Sequence, residues 1–428
     1  MKTIKITINK LGAIRNSVIE LSPIMIFSGE SGLGKSYLAM LCHYFFDMLL
    51  DITRLDRFIK EKGWVFSEMK QSFKNSGTAV IIDKKELEEW ISKDAIQYLC
   101  YMLNNNNLKA DISIELPQEI ENTIHIDFEE EISGIENNED VYIKLSALGL
   151  IYRTKDESMD EESSFAFLLR YGLIKTIFGN FKALKDSYVF PPSRGPMLTE
   201  DITPRTGLYE KFKTDLLRIN RIPPHPEEAD KNLIELLRDV LEGSVNRTTE
   251  SYEYKCKGLE NPIPLSAAAA SIKEIAPLAM LVERTDISKA VMMIEEPEAH
   301  LHPLKQRTMA DITSLMCSGG AYMQITSHSD YYLRRINELI SLKRLHEKCE
   351  SEEEFEKICN DVAIDKRLEF DYTRLAAYLL VKQEDGTSKV EKQTLDNGIP
   401  FASFSKAIEE SLNSRYKLNF YAEKYGCN

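Results

Sequence analysis

The chain has 428 residues, with 54 Lys and Arg against 68 Asp and Glu, and its formal net charge is −14 at pH 7. Hydrophobic residues make up 43% of the sequence and charged residues 29%, a composition that excludes a collagen, a coiled-coil rod and a mainly disordered chain. Because nucleic-acid phosphates are bound by clustered cations, the acidic balance excludes a general nucleic-acid binder but leaves a local basic patch open. The length allows two or three domains.

The cysteines and the apolar runs bear on the compartment of the protein. Seven cysteines are scattered along the chain, and none forms a Cys-x-x-Cys pair. This pattern is typical of reduced thiols and predicts a cytoplasmic protein without a disulfide framework or a zinc site. The longest mostly apolar stretch, Tyr37–Leu50, is shorter than the ~20 residues that a membrane-spanning helix needs, so no membrane span is expected.

The first fifty residues predict the start of an α/β fold. Thr3–Ile8 and Val18–Leu21 are predicted to form a strand hairpin. Ile24–Phe27 is a continuous apolar run, which is typical of a strand buried on both faces. A Gly-rich loop follows, and then a helix is predicted from about Lys35 to Leu50.

Residues 51–184 do not continue a simple alternation of strands and helices. They combine a helical pattern over Leu87–Leu103, alternating strands over Ile112–Leu116 and Thr123–Phe128, and an acidic stretch that is expected to face solvent. We therefore predict an inserted α+β domain, an arm or lid of unknown role. It would divide one head domain into two parts, 1–50 and 185–428.

Strand and helix patterns return after residue 185. Ser187–Phe190 predicts a strand, and 264–346 predicts helix, buried strand, helix, strand and helix. Leu379–Lys382 and Val390–Thr394 predict a hairpin, and a last helix is expected over about Ser403–Leu412. These patterns predict a mixed sheet with flanking helices.

The loop Gly29-Glu30-Ser31-Gly32-Leu33-Gly34-Lys35-Ser36 satisfies the pattern G-x-x-x-x-G-K-[ST]. An apolar strand precedes it and a helix follows it, which is the context that this phosphate-binding pattern requires. Glycines let successive backbone N–H groups point at one anion, and the helix adds the positive end of its dipole. We expect Lys35 to reach the β- and γ-phosphates of a nucleotide and the Ser36 hydroxyl to ligate Mg²⁺.

Two carboxylates end the apolar run Ala290–Ile294. In open α/β sheets, ligands bind at the carboxyl ends of the strands. Glu295 is therefore expected to hold Mg²⁺ through its water shell, and Glu296 to accept a proton from the attacking water. Two neighbouring acids can divide these tasks because the metal offsets one of the charges.

Three histidines lie near predicted strand ends. His328 follows the apolar strand Met323–Thr326, which comes one helix after the acidic strand, so the two strands are expected to be neighbours in one sheet. His328 is then placed to contact a γ-phosphate directly or through water. His300 and His302 follow Pro297 in a turn without a third ligand close by, and we predict a structural role for them.

The segment Ser266–Glu274 has two interpretations. Ser271, with Glu274 three residues later, has the spacing of a capping box at a helix start. Alternatively, this small-residue helix start, with Ser271, faces the γ-phosphate held by a second subunit.

The order of these motifs resembles the ABC-type ATPases of the RecF/SMC/OLD (overcoming lysogenization defect) group. The chain looks most like the stand-alone AAA-type ATP-binding proteins of bacterial anti-phage defence systems. The resemblance covers about 1–50 and 185–410 and rests on Gly29–Ser36, Ser266–Glu274, Ile294–Pro303 and Thr326–Ser329.

The resemblance implies an ATP-binding and ATP-hydrolysing protein that needs Mg²⁺ and forms a homodimer or higher homo-oligomer with ATP between two heads. One head would supply the phosphate loop, the acidic pair Glu295 and Glu296 and the switch residue His328, and the other head would supply Ser271. Arg194 would lie near the nucleotide. The family further implies a sensor or regulator of a separate effector, for which a nuclease is one candidate. No Asp-x-Asp occurs in the sequence, so we expect no Toprim nuclease in this polypeptide.

The chain departs from the family at the signature, where Ala269-Ala270-Ser271 stands in place of Ser-Ser-Gly or Ser-Gly-Gly. Hydrolysis is therefore expected to be slow, and a module that binds ATP with negligible turnover stays open as an alternative. A RecF-like DNA-repair ATPase also stays open, because Lys211, Lys213, Arg218 and Arg221 form a local basic run.

Overall fold

The strands of the protein come from both ends of the chain and from the stretch between them. The computed structural model describes residues 1–63, 80–132, 139–145, 150–153, 161–180, 182–224, 230–248, 251–400 and 402–425. The strands in these ranges are β1 (Lys5–Leu11), β2 (Ile14–Glu20), β3 (Ile24–Gly29), β4 (Val80–Asp83), β5 (Ala110–Glu115), β6 (Thr123–Ile132), β7 (Glu139–Leu145), β8 (Leu150–Arg153), β9 (Asp186–Phe190), β10 (Gly243–Arg247), β11 (Tyr252–Cys256), β12 (Ile263–Pro264), β13 (Ala290–Glu295), β14 (Tyr322–Thr326), β15 (Leu375–Lys382) and β16 (Ser388–Lys392).

Helices separate most of these strands. They are α1 (Lys35–Leu50), α2 (Ile52–Glu61), α3 (Lys84–Leu103), α4 (Glu161–Phe178), α5 (Pro196–Thr199), α6 (Gly207–Arg221), α7 (Lys231–Leu241), α8 (Ala270–Val282), α9 (Pro303–Ser318), α10 (Asp330–His346), α11 (Glu352–Val362) and α12 (Ala402–Tyr425). Among the residues described, no helix combines the length and the hydrophobicity needed to cross a membrane.

A mixed sheet of nine strands forms the centre of the molecule, in the order β5-β1-β2-β16-β15-β3-β14-β13-β9. The five strands from β15 to β9 run parallel to one another. On the other side, β5, β1 and β2 pair antiparallel, and β16 is antiparallel to β15. Two smaller antiparallel sheets have the orders β10-β11-β12 and β4-β6-β7-β8.

The three strands that carry the expected site are adjacent at the centre of this sheet. β3, β14 and β13 are almost wholly buried and apolar, as parallel strands covered on both faces must be. Their register pairs Phe27 with Thr326 and Thr326 with Glu295. The carboxyl ends of the three strands are therefore level, and the loops that follow them leave the sheet at one edge.

The expected α/β fold, a mixed sheet with flanking helices, is confirmed. The last helix was expected to end near Leu412, which is wrong: α12 continues to Tyr425, because no proline or glycine interrupts the sequence up to that residue.

Part of the predicted insertion, 51–184, lies in the central sheet. The strand expected over Ile112–Leu116 is β5, and it pairs with β1 along its whole length. The four-stranded sheet also falls within this stretch. The predicted insertion therefore contributes one strand, β5, to the central sheet of the head. The division into a head and an arm stays a prediction.

Tyr378 connects the two halves of the central sheet. Its ring is fully buried and stacks on Phe27 at 5.9 Å between centroids. Its hydroxyl accepts a hydrogen bond from the backbone N–H of Glu20 (2.8 Å) and donates one to the Glu20 carbonyl (3.1 Å).

Replacing Tyr378 with Phe should destabilise the protein by about 1–3 kcal/mol, because it leaves two backbone groups of Glu20 without a partner. The measurement is the midpoint of urea unfolding followed by circular dichroism. Tyr372→Phe is the matched control: its hydroxyl binds the exposed Glu347 carboxylate, and its midpoint should stay that of the wild type. Equal midpoints for the two variants would show that the Tyr378 hydroxyl is unimportant.

Candidate functional site

The phosphate loop, Gly29–Ser36, runs from the end of β3 into the first turn of α1. Two of its glycines are required by their surroundings. Gly29 has φ 125°, and a Cβ at this position would lie 2.5 Å from the Leu380 carbonyl oxygen. Gly34 has φ 105°, and its Cβ would lie 2.9 Å from the Ile14 side chain. Only glycine accommodates this wrapped backbone without strain.

The Lys35 side chain folds back into this loop. Its Nζ donates hydrogen bonds to the carbonyl oxygens of Gly29 (3.0 Å) and Glu30 (2.7 Å). Burial lowers the pKa of the Lys35 ammonium to about 8, although the carboxylates of Glu296 and Glu295 act in the opposite direction. The loop is thus wrapped around the Lys35 ammonium group.

Ser36 and Glu295 meet although 259 residues separate them in sequence. The Ser36 hydroxyl donates a short hydrogen bond to the Glu295 carboxylate, which is buried. Burial raises the pKa of Glu295, and the Ser36 hydrogen bond opposes this shift. A hydroxyl and a carboxylate are the hard oxygen donors that Mg²⁺ prefers, so the two residues fit the expected metal site.

Glu296 and His328 lie close together just after the ends of β13 and β14. The His328 Nε2 lies 3.7 Å from a Glu296 carboxylate oxygen. Glu296 has φ 47°, a left-handed conformation, and its N–H donates to the carbonyl of Thr326 (3.1 Å). Burial lowers the pKa of His328, and the nearby Lys35 lowers it further, so the imidazole is neutral at pH 7.

Glu298 holds the loop that carries His328, a role that we did not predict. One oxygen of its buried carboxylate accepts hydrogen bonds from the Ser327 hydroxyl (2.7 Å) and from the backbone N–H groups of His328 (2.9 Å) and Ser329 (3.1 Å). The only sequence signal was the acidic residue two positions after Glu296. That signal does not reveal which loop the carboxylate binds.

Of the two interpretations of Ser266–Glu274, the capping box of Ser271 and Glu274 is wrong. Helix α8 begins at Ala270, with Ala269 as its N-cap, so Ser271 already lies inside the first turn. Glu274 is buried, and its two carboxylate oxygens accept the backbone N–H groups of Arg194 and Gly195, each at 3.0 Å. Glu274 therefore binds backbone groups that are distant in sequence and does not cap its own helix.

Arg194 contacts the backbone of Glu295. Its Nη1 donates to the carbonyl oxygens of Glu295 and Pro191, each at 3.0 Å, and its Nε to the carbonyl of Glu274 (2.7 Å). The guanidinium is buried among these carbonyls, and sequence alone did not indicate this placement.

The histidines of the turn have different environments. His302 is the N-cap of α9, and its Nδ1 accepts the backbone N–H of Leu304 at 3.4 Å, a contact that stabilises the helix start. His300 is exposed, with φ 61°. It lines an open cavity of about 640 Å³ together with Glu296, His328 and the C-terminal helix.

The structure thus brings together the phosphate loop, Glu295, Glu296 and His328 at one edge of the sheet. Among the described residues, the Ser271 side chain makes no hydrogen bond or ion pair with this group. Its backbone neighbours Ala269 and Ala270 are exposed to solvent. Ser271 itself is half-buried.

Comparison with known proteins gives one family. Residues 1–333 match the family described as AAA ATPase domain. No curated protein resembles the chain closely enough to count as a match.

Several solved structures of SMC heads resemble the chain at low sequence identity. One is an SMC head bound to the C-winged helix domain of ScpA (12% identity, 92% of this chain and 98% of that chain, TM-score 0.40). Another is the SMC head domain from Thermotoga maritima (11% identity, 92% and 100%, TM-score 0.35). A third is an Smc head with an extended coiled coil bound to the C-terminal domain of ScpA derived from Pyrococcus furiosus (11% identity, 96% and 98%, TM-score 0.37).

The lowered pKa of Lys35 predicts that nucleotide binding takes up a proton. Phosphate oxygens raise the Lys35 pKa again, so above about pH 8 a proton must enter with the nucleotide. The affinity for Mg·ATP should therefore be constant below pH 8 and fall above it, by up to about tenfold per pH unit. The measurement is calorimetric titration at about pH 8.5 in two buffers of different ionisation enthalpy.

Lys35→Met is the control variant, because it removes the titrating group. Its remaining affinity for Mg·ATP should show no proton uptake in the same two buffers. Proton uptake of equal size in wild type and Lys35→Met would assign the effect to another residue.

Proposed function

Because the chain belongs to the AAA ATPase domain family, we propose that it binds Mg·ATP at the end of β3 and hydrolyses it. The observation that carries this proposal is the meeting of Ser36 with Glu295, and of Glu296 with His328, beside Lys35. A phosphate loop alone would support binding only. A carboxylate and a neutral imidazole beside it supply the groups that a hydrolytic water needs.

Each side chain has a task that follows from its position. Lys35 would release the loop carbonyls and bind the β- and γ-phosphate oxygens. Ser36 and Glu295 would hold Mg²⁺, whose charge offsets that of the phosphates when it is bound. Glu296 reaches the open cavity and would accept the proton of the attacking water. His328, neutral at pH 7, would donate a hydrogen bond to a γ-phosphate oxygen.

A second copy of the chain would complete the site. In the first turn of α8, Ala270 is exposed and Ser271 is half-buried. The backbone N–H groups of these two residues precede the first hydrogen bonds of the helix, which run from Ile272 and Lys273 to the Ala269 carbonyl. Together with the positive dipole end, these two N–H groups suit an anion. In the proposed homodimer, or higher homo-oligomer, this turn with Ser271 faces the γ-phosphate held by the partner's phosphate loop. The cavity beside Glu296 and His328 is open, which leaves room for such an approach.

In the cell we propose a sensor or regulator that controls a separate effector protein in anti-phage defence, with a nuclease as the first candidate effector. This part is supported by the resemblance of the motifs to stand-alone ATP-binding proteins of defence systems.

An ATP-binding module with negligible turnover is the second candidate. It is favoured by Ala269 and Ala270, which provide no hydroxyl where related signatures have serine or glycine. The two candidates share the binding step and differ in phosphate release.

A DNA clamp is disfavoured because three of the four cations in the basic run on α6 are paired within the chain. Lys211 lies 3.0 Å from Asp47, and Lys213 lies 3.8 Å from Asp201. Arg218 lies 3.2 Å from Asp215. Cations already held by acidic partners contribute little to the binding of nucleic-acid phosphates.

Glu296→Gln should reduce phosphate release from ATP by about 100-fold or more, because the amide cannot accept the proton, while binding of Mg·ATP is retained. The measurements are steady-state phosphate release and nucleotide affinity. With ATP, the variant should also be a dimer in light scattering, because hydrolysis no longer separates the two heads that hold ATP between them.

Glu384→Gln, at an exposed turn, is the matched control and should behave as wild type. If wild type and Glu296→Gln release phosphate at the same background rate while both bind ATP, the protein is the binding module and not an ATPase.

A further inference from the structure

Two parts of the proposed site that serve different nucleotides meet inside each chain. The end of β13 carries Glu295, which serves the nucleotide on the chain's own phosphate loop. The first turn of α8 carries Ser271, which in the proposed dimer serves the nucleotide of the partner. Arg194 lies between them, and its guanidinium donates to the Glu295 carbonyl on one side and the Glu274 carbonyl on the other.

The contact between Arg194 and α8 is made twice, by side chain and by backbone. While the guanidinium binds the Glu274 carbonyl, the Glu274 carboxylate accepts the N–H groups of Arg194 and Gly195. A Cβ at Gly195 would lie 2.8 Å from Cβ of Lys273, so the turn and the helix are in direct contact. The first turn of α8 therefore cannot shift without moving Arg194 and Gly195.

The contact between Arg194 and Glu274 is buried, and the backbone just before Arg194 is constrained. Arg194 is 2% exposed and Glu274 3% exposed. Ser193, just before them, has φ 53°, a left-handed conformation that persists only where the surroundings fix it. Neither Arg194 nor Glu274 has a task in the hydrolysis proposed above, so their buried charges have another role to explain.

We propose that Arg194 is a positioning residue that couples the metal end of β13 to the first turn of α8. The inference rests on the proposed function and extends it to regulation. When nucleotide binding fixes Glu295, its carbonyl fixes Arg194, and Arg194 with Glu274 fixes the turn that presents Ser271. Nucleotide on the chain's own phosphate loop thereby positions the α8 turn that serves the partner's nucleotide. By linkage, this coupling acts in both directions.

Hydrogen exchange of the amides in residues 270–276 tests this coupling before any dimer forms. The experiment uses the full chain at a concentration where light scattering shows a monomer, with and without a non-hydrolysable ATP analogue and Mg²⁺. In wild type the analogue should slow exchange in this segment by about tenfold, in the range of ordinary coupling effects.

Arg194→Lys is the test variant. It keeps the charge but lacks the planar donors that reach two carbonyls at once. The analogue should then slow exchange of 270–276 less than twofold, while the phosphate loop, 29–36, is protected as in wild type.

Arg335→Lys is the matched control, because Arg335 on α10 is another buried arginine and is paired with Asp311 of α9 at 2.7 Å. It should lose comparable thermal stability and keep the tenfold effect in 270–276. Glu274→Gln is the second test variant, available if Arg194→Lys does not fold. It keeps the side-chain shape and should weaken the effect in the same way.

The outcomes separate this inference from the proposed function. Equal slowing of 270–276 in wild type and Arg194→Lys overturns the coupling, and so does an unchanged segment in wild type whose phosphate loop is protected. Absence of protection at 29–36 in wild type means that nucleotide does not bind. In that case the proposed function fails and the coupling fails with it.

Steady-state kinetics give a second readout that a purely structural role would not move. Arg194→Lys should lower kcat by about tenfold and leave the affinity of the isolated chain for Mg·ATP unchanged, because the damage lies in presenting Ser271. A loss of affinity that matches the loss of kcat would contradict the coupling.

Discussion

The parallel pairing of β3, β14 and β13 is the constraint on which the site depends. These strands bring residues from three distant parts of the sequence to one edge of the sheet. Because side chains alternate between faces, a shift of the register by one residue would turn Glu295 away from Ser36. The apolar residues that bury the three strands therefore also fix the distances between Glu295, Glu296 and the phosphate loop.

The site concentrates charge that has been withdrawn from water, and each buried charge has a specific partner. Isolated burial of a carboxylate is costly unless hydrogen bonds replace its hydration. Glu298 obtains three donors from the His328 loop, and Glu295 obtains the Ser36 hydroxyl. Lys35 relies on two carbonyls, and burial lowers its pKa. Phosphate oxygens would therefore stabilise the Lys35 charge further.

The sequence was sufficient for the parts of the site that are local patterns. The glycine loop, the apolar strand ending in Glu295 and Glu296, and the strand before His328 can each be recognised in a few residues, and chain order indicates that the strands are neighbours. Contacts over long separations were not predictable. Nothing in the sequence connects Glu298 with the His328 loop, and the pairing of β5 with β1 joins segments about a hundred residues apart. The capping box failed for the same reason, since the local spacing was correct but Glu274 has distant backbone partners.

These long-range contacts bear on the proposed signature, Ala269-Ala270-Ser271. Alanines at 269 and 270 remove hydroxyl donors, but they leave the backbone N–H groups and the dipole of α8 in place. Backbone donors cannot adjust as a rotating hydroxyl does, so their usefulness depends on how accurately the helix start is held. In this chain, that position is set by the buried contacts of Glu274 and Arg194. A signature poor in side-chain donors and a rigid support beneath it are therefore consistent with each other: the less chemistry the turn provides through side chains, the more its effect depends on position.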